Sequence, residues 1–158
     1  MRLLKFLPLI VLPLLAGCVG RESAKDVPVA DVSPISPRPS SELVRSFVEN
    51  DAFIEFDVDA VSYASINPVS RAENNVTEED CAKMQAAMYR FYKHVSVVDS
   101  QYVWDLKSGA EINVSDDVFD FFVNNLEDVN GHIKESIAKG TKIIITEPDE
   151  RYLESLLK

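Results

Sequence analysis

The sequence SVVDSQYVWDLKSGAEINV, residues 96–114, decides the fold that this chain predicts. Residues 96–106 alternate between apolar and polar side chains, as a half-buried strand does. Ser108-Gly109 supplies a turn, and residues 111–114 can return as the second arm of a hairpin. The stretch therefore predicts two antiparallel strands in the middle of the domain.

The residues that follow this hairpin predict a long helix and then a strand. Ser115 can cap a helix whose apolar side chains recur at helical spacing, and Gly140 stands just past its expected end. Asn130-Gly131 is a candidate break within that helix. Residues 142–146 include three consecutive isoleucines and predict a buried strand.

The residues before the hairpin show the reverse order, a strand and then a helix. Residues 53–62 alternate in polarity and predict a half-buried strand. After a polar loop, Thr77 can cap a helix in which Asp80 occupies a position like that of a capping box. We therefore expect a strand and a helix to precede the hairpin.

Short helices flank this core at both ends. One is expected from Ser40 or Ser41 to about Asn50, and the other begins near Pro148. Between them the order is strand, helix, strand, strand, helix, strand, which matches the ferredoxin-like, split βαβ unit (βαββαβ). The sequence therefore predicts an α+β fold of this kind for a single domain, residues 41–158, and a three-layer α/β sheet is the alternative.

A ferredoxin-like sheet leaves one face open to solvent, and strand alternation predicts that this face carries carboxylates. Oxygen ligands suit Ca²⁺, and a carboxylate-rich face also suits a basic protein or a cationic ligand. The alternative is an ordinary solvated face, since charged residues are common on exposed strands. The expected residues are Glu55, Asp57, Asp59, Asp99, Asp105 and Glu111.

Motifs for catalysis are largely missing from the sequence. His94 and His132 lack the neighbours of a zinc motif, and there is neither a nucleophile elbow nor a glycine-rich phosphate loop. Cys81 follows three acidic residues, which oppose thiolate formation, and it falls on the apolar stripe of its helix. We expect it to be a buried core residue, and no catalytic or cofactor-binding residue is assigned.

The net charge restricts the partners. Residues 1–17 carry two basic and no acidic residues, so the remainder has 14 Lys and Arg against 26 Asp and Glu, a formal charge of −12. Such a surface repels polyanions, which disfavours binding to nucleic acid or directly to an anionic membrane. Basic proteins, cationic ligands and metal ions are the partners that this charge permits.

The N-terminus has the pattern of an export signal. Arg2 and Lys5 precede an apolar stretch, residues 6–17, that is too short for a stable membrane span of about 20 residues. The stretch ends in Leu15-Ala16-Gly17-Cys18, which resembles the lipobox of bacterial lipoproteins at all four positions. The resemblance implies cleavage before Cys18, a diacylglyceryl thioether on its sulfur and acylation of the new N-terminus.

Several acyl chains would anchor the mature protein to a membrane of the cell envelope, because each buried CH₂ contributes about 0.8 kcal/mol. In lipoproteins an Asp after the cysteine often retains the protein in the inner membrane, whereas Val19 here favours the outer membrane. Residues 18–40 are rich in Pro and Ser and predict a flexible linker. We expect a lipid-anchored interaction domain without enzymatic activity, and a small envelope hydrolase that uses carboxylates is the alternative.

Overall fold

The computed structural model describes residues 39–66 and 75–158. Within these ranges the chain forms a mixed α+β fold with five α-helices, one two-stranded antiparallel sheet and a 3₁₀ helix at Gly109–Ile112. The helices are α1 (Ser41–Glu49), α2 (Val58–Ile66), α3 (Glu78–Tyr92), α4 (Asp116–Ala138) and α5 (Glu150–Leu156), and the strands are β1 (Val95–Val98) and β2 (Gln101–Trp104).

Helix α3 lies at the centre and packs against α1, α2, α4 and α5. Its start is the predicted capping box, because Thr77 Oγ1 accepts from the Asp80 amide at 3.1 Å while the Asp80 carboxylate accepts from the Thr77 amide at 2.9 Å. Near its end, the buried Phe91 ring stacks on Phe122 of α4 with 5.2 Å between centroids. Burying one such side chain contributes about 1.5–3 kcal/mol, so this pair joins α3 firmly to α4.

The two ends of α4 match the prediction. Ser115 accepts from the Val118 amide at the start, and Gly140 adopts φ +72° just past the end. There the Gly140 amide donates to the Ile137 carbonyl and the Thr141 amide to the Ser136 carbonyl, which is the Schellman pattern. The helix runs from Asp116 to Ala138 without interruption, so the candidate break at Asn130-Gly131 does not occur.

The hairpin forms, but its turn is not where the sequence predicted it. Val98 pairs with Gln101 across a two-residue turn, Asp99-Ser100, whose φ angles are +50° and +63°. Two successive left-handed residues match the right-handed twist of the flanking strands, and Asp tolerates that conformation. The prediction of one strand over residues 96–106 with a turn at Ser108-Gly109 is therefore wrong.

Residues 111–114 do not form the predicted second strand. The chain turns through the 3₁₀ helix instead, and the Val114 amide donates to the Gly109 carbonyl at 3.0 Å. A Cβ atom at Gly109 would lie 2.6 Å from the Val114 carbonyl oxygen, so this close backbone approach requires glycine.

The predicted outer strands are also wrong. In residues 53–62 only Ile54 forms a bridge, parallel to Val114, and the chain then enters α2 because the Asp57 side chain caps it by accepting from the Ala60 amide at 2.9 Å. Residues 142–146 form no strand beyond an isolated bridge at Ile144, which is 68% exposed, while Ile143 and Ile145 lie partly buried against the core. The four-stranded ferredoxin-like core and the three-layer alternative are thus not confirmed, whereas the C-terminal helix forms close to its predicted start.

Residues 1–38 lie outside the described residues, and with them the predicted signal, Cys18 and nearly all of the linker. The helix predicted from Ser40 or Ser41 is confirmed as α1, and Ser40 Oγ accepts from the Leu43 amide. None of the helices within residues 39–66 and 75–158 combines the length and apolar character needed to cross a membrane.

Candidate acidic groove

A buried arginine on α3 joins three separate parts of the chain. Arg90 is 7% exposed, and its guanidinium donates hydrogen bonds to four backbone carbonyl groups. Burial lowers the pKa of Arg90, and the adjacent Asp51 carboxylate opposes this shift. The four acceptors, which with Arg90 we call the Arg90 junction, are the carbonyl oxygens of Phe47 (2.6 Å), Ala52 (2.9 Å), Ile112 (3.0 Å) and Asn113 (3.2 Å).

The Arg90 junction supplies donors to the carbonyl groups of Phe47, Ala52 and Ile112. It also gives the Asn113 carbonyl a second donor beside the Ile54 amide. An unpaired buried carbonyl costs about 1–3 kcal/mol, so one guanidinium with several donors offsets a large penalty here. Next to it, the Ile54 amide donates to the Asn113 carbonyl and the Ser115 amide donates to the Ile54 carbonyl, both at 2.9 Å. The two chain segments are thereby fixed side by side.

Both of these segments lead directly into helices. Ile54 is followed by α2, which starts at Val58, and Ser115 is followed by α4, which starts at Asp116. The bridge therefore places the N-terminal ends of two helices next to each other. Side chains from residues 55–59 and 117–124 line the groove between them.

This acidic groove, of about 710 Å³, is lined by carboxylates and by the apolar side chains Phe56, Val58 and Phe121, which we call its apolar floor. Phe56 is buried in the floor, while Phe121 is half-buried and contacts the ring of Phe122. No lysine or arginine belongs to its lining among the described residues. The five carboxylates are those of Glu55, Asp57, Asp59, Asp117 and Asp120.

The helix ends explain why so many carboxylates are tolerated together. Each helix N-terminus carries roughly half a positive charge, which stabilises nearby carboxylates. The Asp57 carboxylate also caps α2, because it accepts a hydrogen bond from the Ala60 amide. The mutual repulsion is therefore partly compensated within the protein, and the groove is still negatively charged in total.

The structure brings together three of the six residues that the sequence predicted for one acidic face. Glu55, Asp57 and Asp59 line the groove, but Glu55 and Asp57 precede α2 and Asp59 lies in its first turn, rather than on a strand. The expected acidic sheet face is thus wrong in its placement.

The other three predicted residues lie elsewhere. Asp99 is in the hairpin turn, and Glu111 accepts from the Lys107 amide at 2.8 Å. The Asp105 carboxylate lies 2.9 Å from His94 Nδ1. Each of them thus serves a local turn or pairing outside the groove lining.

Asp117 and Asp120 were not predicted as site residues. Asp117 belongs to the acidic first turn of α4, which is typical of an ordinary helix start. Their proximity to Glu55 depends on the pairing of Ile54 with Val114, sixty positions apart, and no local pattern indicates it.

Metal ligands do not converge in the part of the chain that the structure describes: no three side chains of His, Cys, Asp or Glu are placed to hold a metal ion. Binding of Ca²⁺ therefore remains a prediction from the sequence. Cys81 is 3% exposed in the core of α3, which confirms its expected burial.

Comparison with known proteins adds no assignment. No protein-family model matches this chain, and neither a curated protein nor a solved structure is significantly similar to it. The fold and the groove define a small α+β domain with an acidic, apolar-floored groove. The function has to be inferred from that groove and from the N-terminal sequence.

Proposed function

We propose that this protein is a lipid-anchored protein of the bacterial cell envelope, sorted to the outer membrane, whose domain binds a basic partner in the acidic groove. The observation that carries the binding proposal is the convergence of five carboxylates from two chain segments on one groove. The anchoring proposal is supported by the resemblance of Leu15-Ala16-Gly17-Cys18 to the lipobox.

Charge complementarity selects the class of partner. A groove lined by one sign of charge concentrates oppositely charged ligands and raises their association rate, and like-charged ligands are repelled. The two helix N-termini weaken the field at the base of the groove, which disfavours a small ion held deep inside it. A basic protein segment whose lysine or arginine side chains reach the rim fits this arrangement better.

The apolar floor adds a second requirement for the partner. The half-buried Phe121 and the buried Phe56 both line the groove, so an apolar side chain laid over them would lose contact with water. Removing apolar surface from water contributes about 25 cal/mol per Å². We therefore expect the bound segment to carry a large apolar residue flanked by lysine or arginine.

The linker would give the anchored domain its reach. If residues 19–38 are extended like polyproline, they span about 3.1 Å per residue, or roughly 60 Å. A domain of net negative charge held at that distance stays clear of anionic lipid and still meets partners confined to the same compartment. In this proposal the anchor raises the local concentration of the binding groove.

The binding proposal is tested by titrating a lysine-rich peptide with one central phenylalanine into the full chain at low salt, using calorimetry. The variant Glu55→Gln/Asp117→Asn/Asp120→Asn leaves the Asp57 cap intact and removes three of the five charges. We expect at least about tenfold weaker binding, which corresponds to about 1.4 kcal/mol. Raising the ionic strength should weaken wild-type binding far more than binding of the variant.

The matched control removes three carboxylates that lie outside the groove. Glu49→Gln/Asp128→Asn/Glu150→Gln changes the net charge by the same amount at exposed positions. Binding within a factor of two or three of wild type is expected. Equal weakening by both variants would show that the peptide responds only to total charge and would refute the groove as the site.

Lipid anchoring is tested by cell fractionation of Cys18→Ser. Without the thiol no thioether can form, so the variant should move from the membrane to the soluble fraction. Retention in the membrane after a high-salt wash would contradict the anchoring proposal.

The calcium version of the site is tested by thermal melting with and without millimolar Ca²⁺. A ligand that binds only the folded state raises the melting temperature. An unchanged midpoint would remove Ca²⁺ from the proposal and leave the basic partner.

A further inference from the structure

A second groove, formed between β2 and α4, is separate from the acidic groove and has a different chemistry. Its volume is about 540 Å³, which lies within the range of ligand sites. We call it the Trp104 groove. It is lined by Tyr102, Val103, Trp104, Glu127, Asn130, Gly131 and Lys134.

One contact fixes the two walls of the Trp104 groove relative to each other. The Asn130 side-chain amide donates to the Tyr102 carbonyl and accepts from the Tyr102 amide, both at 2.8 Å. A neighbouring strand would make the same pair of bonds, so α4 is held against the edge of β2. The groove is therefore formed before any ligand arrives, which reduces the cost of binding.

Gly131 keeps the helical wall of this groove open. It lies within α4, and a Cβ atom added there would meet nothing within 4 Å. Glycine inside a helix costs about 1 kcal/mol relative to alanine, so neither packing nor helix stability accounts for it. Its effect is to leave free space between α4 and β2, because it lines the groove and has no side chain to fill it.

Three polar groups at this groove have no partner within residues 39–66 and 75–158. Trp104 is half-buried, and neither its indole N–H nor the exposed Glu127 and Lys134 side chains form a hydrogen bond or ion pair there. Glu127 and Lys134 stand seven residues apart on α4, about 10 Å along the axis. The groove thus offers an aromatic surface, one donor, one cation and one anion.

We propose that the Trp104 groove binds a neutral oligosaccharide. A sugar ring has an apolar C–H face that packs on an indole, and its hydroxyl groups both donate and accept hydrogen bonds. They can accept from the indole N–H and from Lys134, and donate to Glu127. One positive and one negative charge give no preference for an ionic ligand, in contrast to the acidic groove, and an open groove accommodates a chain longer than one ring.

The test uses the fact that Trp104 is the single tryptophan of the chain, so its fluorescence reports on this groove alone. The full-length protein is titrated separately with triacetylchitotriose, cellotriose and maltotriose. We expect a saturable change in emission with at least one of these sugars at millimolar concentration. An unchanged emission with all three overturns the proposal.

The matched variants separate binding from folding. Gly131→Leu fills the open space and improves helix propensity, so it should weaken binding at least about tenfold without lowering the melting temperature. Ala138→Leu adds a similar side chain at an exposed position of α4 outside the groove and should bind as wild type does.

Two further outcomes would overturn the proposal. One is sugar binding that survives Gly131→Leu, because the sugar would then be bound elsewhere. The other is an emission change that depends on protein concentration without sugar, since this would identify a second copy of the chain as the occupant. The triple acidic-groove variant should keep its sugar response, so a failure of the basic-partner proposal is distinguishable from a failure here.

Discussion

The sequence predicts strands for residues 53–62 and for residues 142–146, but the structure buries the two segments to different extents. Ile54 is fully buried and bridges to Val114 beside the Arg90 junction, whereas Ile144 is 68% exposed. In the C-terminal segment, Ile144 forms an isolated bridge, and Ile143 and Ile145 lie partly buried against the core. The hydroxyl of Tyr102 also donates to the Thr146 carbonyl at 3.0 Å. The isoleucine that is fully buried is the one beside which a guanidinium satisfies the surrounding carbonyl groups.

The largest expected effect is at Arg90 itself. Arg90→Leu removes the donors to four carbonyl groups and should lower the free energy of unfolding by about 3–5 kcal/mol, because each buried carbonyl left unpaired costs about 1–3 kcal/mol. Urea denaturation measures this change. Arg45→Leu breaks only an exposed ion pair with Glu154 and should cost at most about 1 kcal/mol. Equal costs would mean that the Arg90 junction contributes no more than a surface contact.

The second comparison uses one substitution in both segments. Ile54→Ala creates a cavity in the core and should cost about 2–5 kcal/mol. Ile144→Ala removes a largely exposed side chain and should change stability by less than about 0.5 kcal/mol. The same denaturation experiment measures both. A cost at Ile144 as large as that at Ile54 would place the Ile144 side chain in the core and contradict the comparison.

Glycines provide a third comparison with smaller effects. In Gly109→Ala, the added Cβ atom would lie 2.6 Å from the Val114 carbonyl oxygen. This clash should lower the free energy of unfolding by about 1–3 kcal/mol. Gly140→Ala meets no neighbour but must adopt φ +72°, which costs about 1 kcal/mol. Thermal melts of the two variants give the order. A reversed order would show that the backbone near Val114 moves apart easily.

The smallest expected effect is a loss of stability at alkaline pH. Burial raises the pKa of Tyr152 to about 12, with a further contribution from Tyr102, and burial also raises the pKa of Tyr102. Because the folded state favours the protonated phenols, their contribution to stability is complete below pH about 10 and is lost as the pH rises towards 12.

Circular dichroism against pH checks this prediction at the C-terminal helix. The ring of Tyr152 on α5 packs edge-on against Tyr92, so its ionisation should loosen α5 first. Tyr152→Phe keeps the ring, removes the ionisable group and should move the loss of helix to higher pH. An onset below pH 9, or one that this variant leaves unchanged, would show that the tyrosines do not control it.

Local patterns in the sequence predicted four of the five described helices, all except α2. The cap at Thr77 with Asp80, the start at Ser115 and the stop at Gly140 are all confirmed, because each depends on contacts within one turn of helix. The strand predictions failed where short-range alternation had a second explanation. In residues 53–62 the spacing of Asp57 and Asp59 resembled the outer face of a strand, but Asp57 is the cap of α2.

The candidate site was only half predictable for the same reason. Glu55, Asp57 and Asp59 stood out as a local acidic pattern, while Asp117 and Asp120 join them through a long-range bridge. The sequence did not indicate the role of Arg90 either, since an arginine on a helix is usually at the surface. Its burial follows from the carbonyl groups that gather around it in three dimensions.

The central claim is that the Arg90 junction holds the two acidic sides of the groove in one rigid unit. Native-state hydrogen exchange tests it most directly, because the amides of Ile54, Val114 and Ser115 all donate to backbone carbonyl groups there. We predict that these three exchange only through global unfolding. The amides of residues 142–145, where Ile144 forms only an isolated bridge, should exchange orders of magnitude faster. Equal protection of the two segments, or faster exchange at Ile54, Val114 and Ser115, would contradict the account.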